Sequence, residues 1–440
     1  MARIAQGCLP LDWEAVEECP DLTRVRMAVE NLPDEELMKA LEARRWGRKD
    51  ATPVRVKWNC LIIGRVLGHG TTNDLLREMR RNPALRRLAG INPALGARGV
   101  PDKDEMSRFR LKLAGQFAGE IERMQGLAVE ELRRHLPGLG EELGTDTTVL
   151  RTWARGRRDP LESADPEADW GRKTRRWTDV EGKVHEELTK WFGYKGHLLV
   201  DTRYEVPLAR RVTRASRPDA EKIMEMVREV KRRHPEMTPR TLSGDKAYDD
   251  GDLTRRMWEE EGIRAVFALR DTAQDGEDGE PLEGARNILL GDDGQVYCYA
   301  EWRGRTIRQA MRPWGFEASR GTLKYRCPAA VFGTECPERE RCGTGRYGRV
   351  VRVKNHADWR RFGPLARNTK QWERLYARRT ACERVNARLK VGMALDDLHS
   401  RGLEQITLSL DLAILALYGL AIGHLKRGAK KWRSYTRLAD

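Results

Sequence analysis

LGTDTTVL, residues 143–150, is where the chain changes texture. It is a short run of apolar and β-branched residues broken by one carboxylate, Asp146, and it reads as a strand. A carboxylate among small hydroxyl side chains on an apolar strand is costly unless it is paired or bound to a metal; the competing reading is a strand-end Asp that caps a turn. Downstream, KWFGYKGHLLVD (190–201) and RYEVPLARRVTRAS (203–216) read as two strands around a tight turn at Asp201–Thr202. RPDAEKIMEMVREVKRR (217–233) carries apolar positions at helical spacing, with Ser216 placed to cap it. RTLSGDKAY (240–248) is a strand that stops in a loop, DDGDLTRRMWEEEG (249–262) a helix and IRAVFAL (263–269) a strand.

Three strands, a helix, a strand, a helix and a strand match the order of an RNase H-like α/β core, assigned to residues 141–270. Residues 1–140 read as a helical domain. PDEELMKALEARRW (33–46) starts with proline and acids, and PVRVKWNCLIIGRVLG (53–68) has an apolar face ending at glycine. Thr71 or Thr72 then caps NDLLREMRR (73–81). This is the outline of a helix-turn-helix, in which Arg77, Arg80 and Arg81 face DNA, although two helices and a turn occur in any bundle. MSRFRLKLAGQFAGEIERMQ (106–125) is expected as one helix. Between the first two core strands lies a charged loop, residues 151–177. Residues 271–370 read as an inserted subdomain of mixed short strands and coil, opening with an acidic Gly-rich loop. Residues 371–425 return to helix and complete the core, and 426–440 form a basic tail.

The formal charge is +15, from 82 Lys+Arg against 67 Asp+Glu, which favours a polyanionic partner without naming it. Thirteen Trp among many Arg suit stacking on unpaired bases, while the bland reading places most of them in the core. Eight Cys without a visible secretory signal argue for a reducing cytoplasm and against a disulfide scaffold. The apolar stretch 406–425 is long enough for a membrane span, but it contains Asp411 and His424 and is interrupted by Gly419 and Gly423, so a buried helix and no membrane are expected.

Phosphodiester cleavage and strand transfer need a nucleophilic oxygen, relief of developing charge and in-line geometry, all of which two divalent ions can supply. Magnesium takes oxygen ligands, so a few carboxylates suffice. Asp146 is one candidate. Asp245, in SGDKAYDD where a strand stops, is a second; Asp249 and Asp250 are rivals that look more like the first residues of the next helix. The third comes from YARRTACERVNARLK (376–390). At 100° per residue Tyr376, Arg379, Glu383 and Lys390 fall within an arc of about 60°. One helix face would then offer a metal-binding carboxylate beside Arg and Lys for flanking phosphates; the alternative is a solvated helix with ordinary charge pairs.

The spacing Y-x2-R-x3-E-x6-K resembles the signature of bacterial insertion-sequence transposases of the DDE superfamily, the YREK group. TDTT around Asp146, WFGYKGHLLVDTRYEVPLA and LSGDKAYDD resemble that family's catalytic strands, and residues 50–115 resemble its preceding helical domain; the likeness spans most of 50–425. It implies that Asp146, Asp245 and Glu383 hold two Mg2+ or Mn2+ ions. Water then cuts the transposon end, and the freed 3′-hydroxyl attacks target DNA. It also implies double-stranded partners, the terminal inverted repeats and the target, a homodimer on DNA, and a bacterial, nucleoid-associated setting. In some relatives a hairpin forms with a Trp holding a flipped base; Trp302, Trp314, Trp359 and Trp372 are candidates. A nuclease without strand transfer and a domesticated DNA-binding copy are the alternatives, and the intact acidic triad speaks against decay.

One departure is the insertion, which carries Cys298, Cys327, Cys336 and Cys342. Four thiolates suffice for a structural zinc site, but no C-x2-C pair is present and isolated buried thiols are the competing reading. His197 is expected in the core. The basic runs 172–176 and 426–433 are solvated faces that also suit DNA backbone.

Overall fold

The computed structural model describes residues 19–44, 52–270, 279–343 and 345–428, and for Arg175 and Arg176 the backbone alone. Trp46, most of the acidic loop opening the insertion and the tail from residue 429 lie outside the described residues. The chain opens with α1 (Pro20–Glu30), α2 (Glu35–Ala43), α3 (Val54–Val66), α4 (Thr72–Arg81), α5 (Pro83–Ala89), α6 (Lys103–Gln116) and α7 (Ala118–His135). The core follows as β1 (Glu142–Arg151), β2 (Asp169–Thr178), β3 (Val184–Asp201), β4 (Val206–Arg214), α8 (Ile223–Arg233), β5 (Thr241–Gly244), α9 (Gly251–Glu259) and β6 (Arg264–Phe267). The insertion contains β7 (Glu280–Pro281), β8 (Ile288–Leu290), β9 (Val296–Trp302), β10 (Arg305–Ala310), β11 (Arg312–Glu317), β12 (Thr322–Arg326), α10 (Pro328–Phe332), α11 (Arg339–Cys342) and β13 (Val350–Lys354). The last elements are α12 (Lys370–Ala377), α13 (Thr380–Ala387), a π-helical turn (Arg388–Gly392) and α14 (Leu403–Lys426).

These elements form two compact units, one of residues 1–135, 150–194 and 387–440, the other of 136–149 and 195–386. In the first, α14 packs with α1, α3, α6 and α7. It is long and apolar enough to cross a membrane, yet 94% of its apolar window is buried. Its one central acid, Asp411, accepts from Gln125 Nε2 at 2.9 Å, which removes the penalty of an orphaned buried carboxylate. Gly419 and Gly423 lie inside the buried helix expected for this stretch. They are notches: a Cβ at Gly419 would stand 2.4 Å from Ala28 O, and one at Gly423 2.9 Å from Met27 Cβ. Thr71, not Thr72, caps α4 by accepting from Asp74 N at 3.0 Å. The single helix expected from residue 106 is two, α6 and α7, parted at the buried Phe117.

β2 and the outer half of β3 form a charged antiparallel ribbon, Asp169 opposite Gly193 through Thr178 opposite Val184. The second unit holds the rest of the sheet. β1 lies between β3 and β5, β6 follows β5, and β4 pairs with β3; β1, β5 and β6 are parallel. That order and polarity are those of an RNase H-like core. Ser216 does not cap α8: a short 3-10 turn over Asp219–Lys222 intervenes, and Lys222 occupies the cap position. The insertion builds a core of its own from residues such as Val296, Leu323, Tyr325, Val353 and Phe362.

The turn after β3 depends on Asp201, whose buried carboxylate accepts from Gly140 N (2.7 Å), Arg203 N (2.9 Å) and Tyr204 N (2.7 Å). Desolvation outweighs those bonds and pushes its pKa up to about 6.

Two outcomes follow in thermal or denaturant unfolding. Gly419→Ala should lower stability by about 1–3 kcal/mol through overpacking, whereas Gly126→Ala on α7, with nothing within 4 Å of the added Cβ, should be neutral or gain up to about 1 kcal/mol from helix propensity; equal effects would contradict the notch. A carboxyl raised in the folded state contributes stability that is complete below its unfolded pKa and is lost as pH rises through about 6. Subtracting the Asp201→Asn curve from wild type should therefore leave a decline between about pH 4 and 6, and a flat difference would refute it.

Candidate active site

The site is assembled in the second unit by two parallel strands and one helix. Gly144 on β1 stands opposite Ser243 on β5, so two residues further on Asp146 comes level with Asp245. Although 98 residues of chain separate them, Asp146 thus stands near the C-terminal end of β5, where Asp245 follows. β5 stops at Gly244, and Asp245 caps the following 3-10 turn by accepting from Ala247 N at 2.8 Å. Asp146 accepts from its neighbour Thr147 N at 2.8 Å and from Asn386 Nδ2 at 2.9 Å.

Asn386 belongs to α13, the helix that carries Glu383. This helix seats on β1 at a glycine: a Cβ at Gly144 would lie 2.7 Å from both Cys382 Sγ and Thr202 Cγ2. Polar contacts fix the seat. Arg378 pairs with Glu142 on β1, Arg384 with the buried Glu205 at 2.6 Å, and Asn386 with Asp146. Cys382 is fully buried, and desolvation, followed by the charges of Asp146 and Glu383, raises its thiol pKa, so it stays neutral beneath the helix.

Glu383 itself is half-exposed and ion-paired with Arg379 at 2.7 Å. Burial opposes the Arg379 charge, but Glu383, Tyr376 and Asp146 together hold the guanidinium above its ordinary value. Arg379 lies 5.5 Å from the centre of the Tyr376 ring, on which Trp372 stacks at 5.0 Å. Tyr248, behind the strands, is pushed well above its usual pKa by desolvation and then by Asp146, Asp219 and Asp245. Asp146 therefore shares one electrostatic neighbourhood with Asp245 on one side and with Arg379 and Cys382 on the other.

The helical run from 371 to 392 is not uniform. α12 ends at Ala377, α13 begins at Thr380, and the segment from Arg388 is π-helical. The 60° arc for Tyr376, Arg379, Glu383 and Lys390 is thus not the geometry observed, although Tyr376, Arg379 and Glu383 do form a contiguous line. Lys390 falls in the first unit and pairs with Asp396 at 3.0 Å. Arg77, Arg80 and Arg81 project from α4, also in the first unit, with Arg77 paired to Asp74 and Arg81 to Glu78. Asp250 caps α9 through Leu253 N, as its position suggests. Asp249 does not: it is buried and accepts from Arg270 N and Arg360 Nη2, tying the core to the insertion. His197 is buried, bonded to Thr213 Oγ1 at 2.8 Å, and desolvation lowers its pKa.

The donor set of Asp146, Asp245 and Glu383 is all oxygen, as a hard divalent ion requires, and Asn386 Oδ1 beside Asp146 is buried without a hydrogen-bond partner. Among the described residues no three His, Cys, Asp or Glu side chains close on a single ligating point; Glu383 is turned onto Arg379. Sequence reasoning missed Asn386 and the Gly144 notch. The only trace of the first is its place one turn after Glu383.

A family model described as "Transposase DDE domain" matches residues 166–418, more than half of the chain. The chain belongs to the transposase DDE domain family. Asp245 and Glu383 fall within the match, whereas Asp146 precedes it. No curated protein matches the transposase. Among solved structures it is similar to a piggyBac transposase synaptic complex with hairpin DNA, seen by cryo-EM, at 12% identity and a TM-score of 0.37, over 98% of this chain and 80% of that one. That degree of likeness carries nothing about the site.

The notch predicts that Gly144→Ala lowers the melting temperature, by an overpacking cost of about 1–3 kcal/mol, and that adding Cys382→Ala recovers part of the loss. Absence of both the loss and the recovery would separate α13 from β1.

Proposed function

We propose that this transposase cuts the ends of an insertion sequence and joins them to target DNA, with Asp146, Asp245 and Glu383 holding two Mg2+ or Mn2+ ions. What supports the reading is the placement of Asp146 on β1 and of Asp245 just past the end of its parallel neighbour β5, beside a helix clamped by Arg378, Arg384 and Asn386. DDE transposase domains in general use divalent metal ions, and when bound such ions lower the pKa of water and offset charge on the reacting phosphate.

The chain's own residues do the rest. Asn386 fixes the orientation of Asp146. Glu383 exchanges its ion pair with Arg379 for the metal site, which releases the guanidinium to a phosphate oxygen of the DNA. Tyr376 and Trp372 offer a stacked aromatic surface beside that phosphate. Arg77, Arg80 and Arg81 on α4, and Lys390, contact DNA backbone, consistent with the +15 charge. Its partners are the terminal inverted repeats and a target duplex, and two ends processed together call for a dimer on DNA. No covalent protein–DNA intermediate is required, since the 3′-hydroxyl is itself the second nucleophile.

Incubation with the element's own end DNA, Mg2+ and a plasmid target should give cleaved ends and joined products with wild type. Asp146→Asn, Asp245→Asn and Glu383→Gln should each reduce both by at least about 10³-fold, while keeping DNA binding in a mobility-shift assay. Cutting without joining would make the protein a nuclease, and undiminished nicking by Glu383→Gln would remove that residue from the chemistry.

A further inference from the structure

The insertion contains a second group of chemically able side chains that the proposed reaction does not use. Cys298 lies on β9, opposite Ile288 of β8 and Gln309 of β10, and its sulfur contacts Gln309 O at 3.6 Å. The Gln309 side chain donates to Glu335 O at 2.9 Å, which brings the adjoining Cys336 to the same strands. Asn287, next to Ile288, donates to Tyr299 O at 2.7 Å and reaches Cys342 Sγ at 3.6 Å. Its other amide atom accepts from Arg349 Nη1 at 2.6 Å, and Arg349 O accepts from Cys327 N at 3.0 Å. Four cysteines from β9, from either side of α10 and from the end of α11 thus meet at one corner of the β8–β9–β10 sheet.

Two further observations agree. Gln309 Oε1 is buried there with no hydrogen-bond partner. All four thiols are free.

We propose that Cys298, Cys327, Cys336 and Cys342 bind one structural zinc ion that pins the segment from Cys327 to Cys342 against the strands of the insertion. Four thiolates in tetrahedral array suit zinc and exclude the hard ions of the carboxylate site. Binding displaces up to four thiol protons to solvent and oxidises nothing. In this structure Cys298 Sγ donates to Gln309 O and Cys342 Sγ accepts from Asn287 Nδ2, and among the described residues no three of these sulfurs close on one point; zinc binding would exchange these contacts for the ion. The resulting double negative charge meets the Arg349 guanidinium already bonded to Asn287. Because the insertion has its own apolar core, the ion orders one corner of it rather than replacing that core.

The test uses the full-length, tag-free chain purified under reducing conditions. Elemental analysis should find one zinc per chain. Titration with an organomercurial thiol reagent should release that zinc, and cobalt replacement should give thiolate charge-transfer bands with the d–d spectrum of a tetrahedral ion. Cys342→Ser should lose the metal or shift the cobalt spectrum, while Cys60→Ala, a buried thiol of α3, should retain one zinc. If the serine variant fails to fold, the mercurial and cobalt readings on wild type still decide. A wild-type chain without zinc that also takes up no cobalt, metal kept after Cys342→Ser with an unchanged cobalt spectrum, or peptide mapping that finds these cysteines as disulfides in the reduced preparation would overturn the assignment. None of these readings involves DNA, so they stand or fall independently of the transposition assay.

Discussion

How close one helix comes to one strand decides whether this chain has a site at all. Asp146 is placed by the parallel ladder of β1 with β5, and Asp245 by the turn that follows β5. Glu383 has no such guarantee. It stands on a short helix interrupted at both ends, and its position depends on the absence of a side chain at Gly144, against which Cys382 packs. Propensity alone does not hold an eight-residue helix. Arg378, Arg384 and Asn386 anchor it, and two of those anchors end on β1 itself, at Glu142 and Asp146.

The same contacts explain the charge pattern. Carboxylates placed side by side repel, so a metal-free site needs cationic or hydrogen-bonding partners for each. Asn386 serves Asp146, the 3-10 turn serves Asp245, and Arg379 serves Glu383. Tyr248 and Cys382, both buried and both kept neutral by desolvation, close the site from behind without adding charge.

Much of this was legible in the sequence. The apolar runs at β1, β5 and β6, and the helical period of α8 and α9, place the core correctly, because buried elements carry their periodicity openly. Asp146 falls inside β1 and Asp245 just past the end of β5, as the runs around them indicate. Residues 151–177, which hold most of β2, read as a charged loop, and the outer half of β3 falls outside any expected strand, since KTRRW and HEELTK show no apolar face; that ribbon is held by its ladder rather than by burial. The break between α12 and α13 leaves no trace in the sequence, because Arg378 and Arg379 are good helix formers; at the break Arg378 is held by Glu142, a contact that only the folded chain supplies. The buried helix over 406–425 is legible as well, but not that Gly419 and Gly423 are close-packing notches, which depends on what lies opposite them.

The most direct measurement is the anomalous-scattering map of the full chain crystallised with Mn2+ and end DNA. Two manganese peaks between Asp146, Asp245 and Glu383, with the Glu383 carboxylate released from Arg379, are the predicted result. Manganese bound elsewhere, with Glu383 still paired to Arg379, would contradict the account.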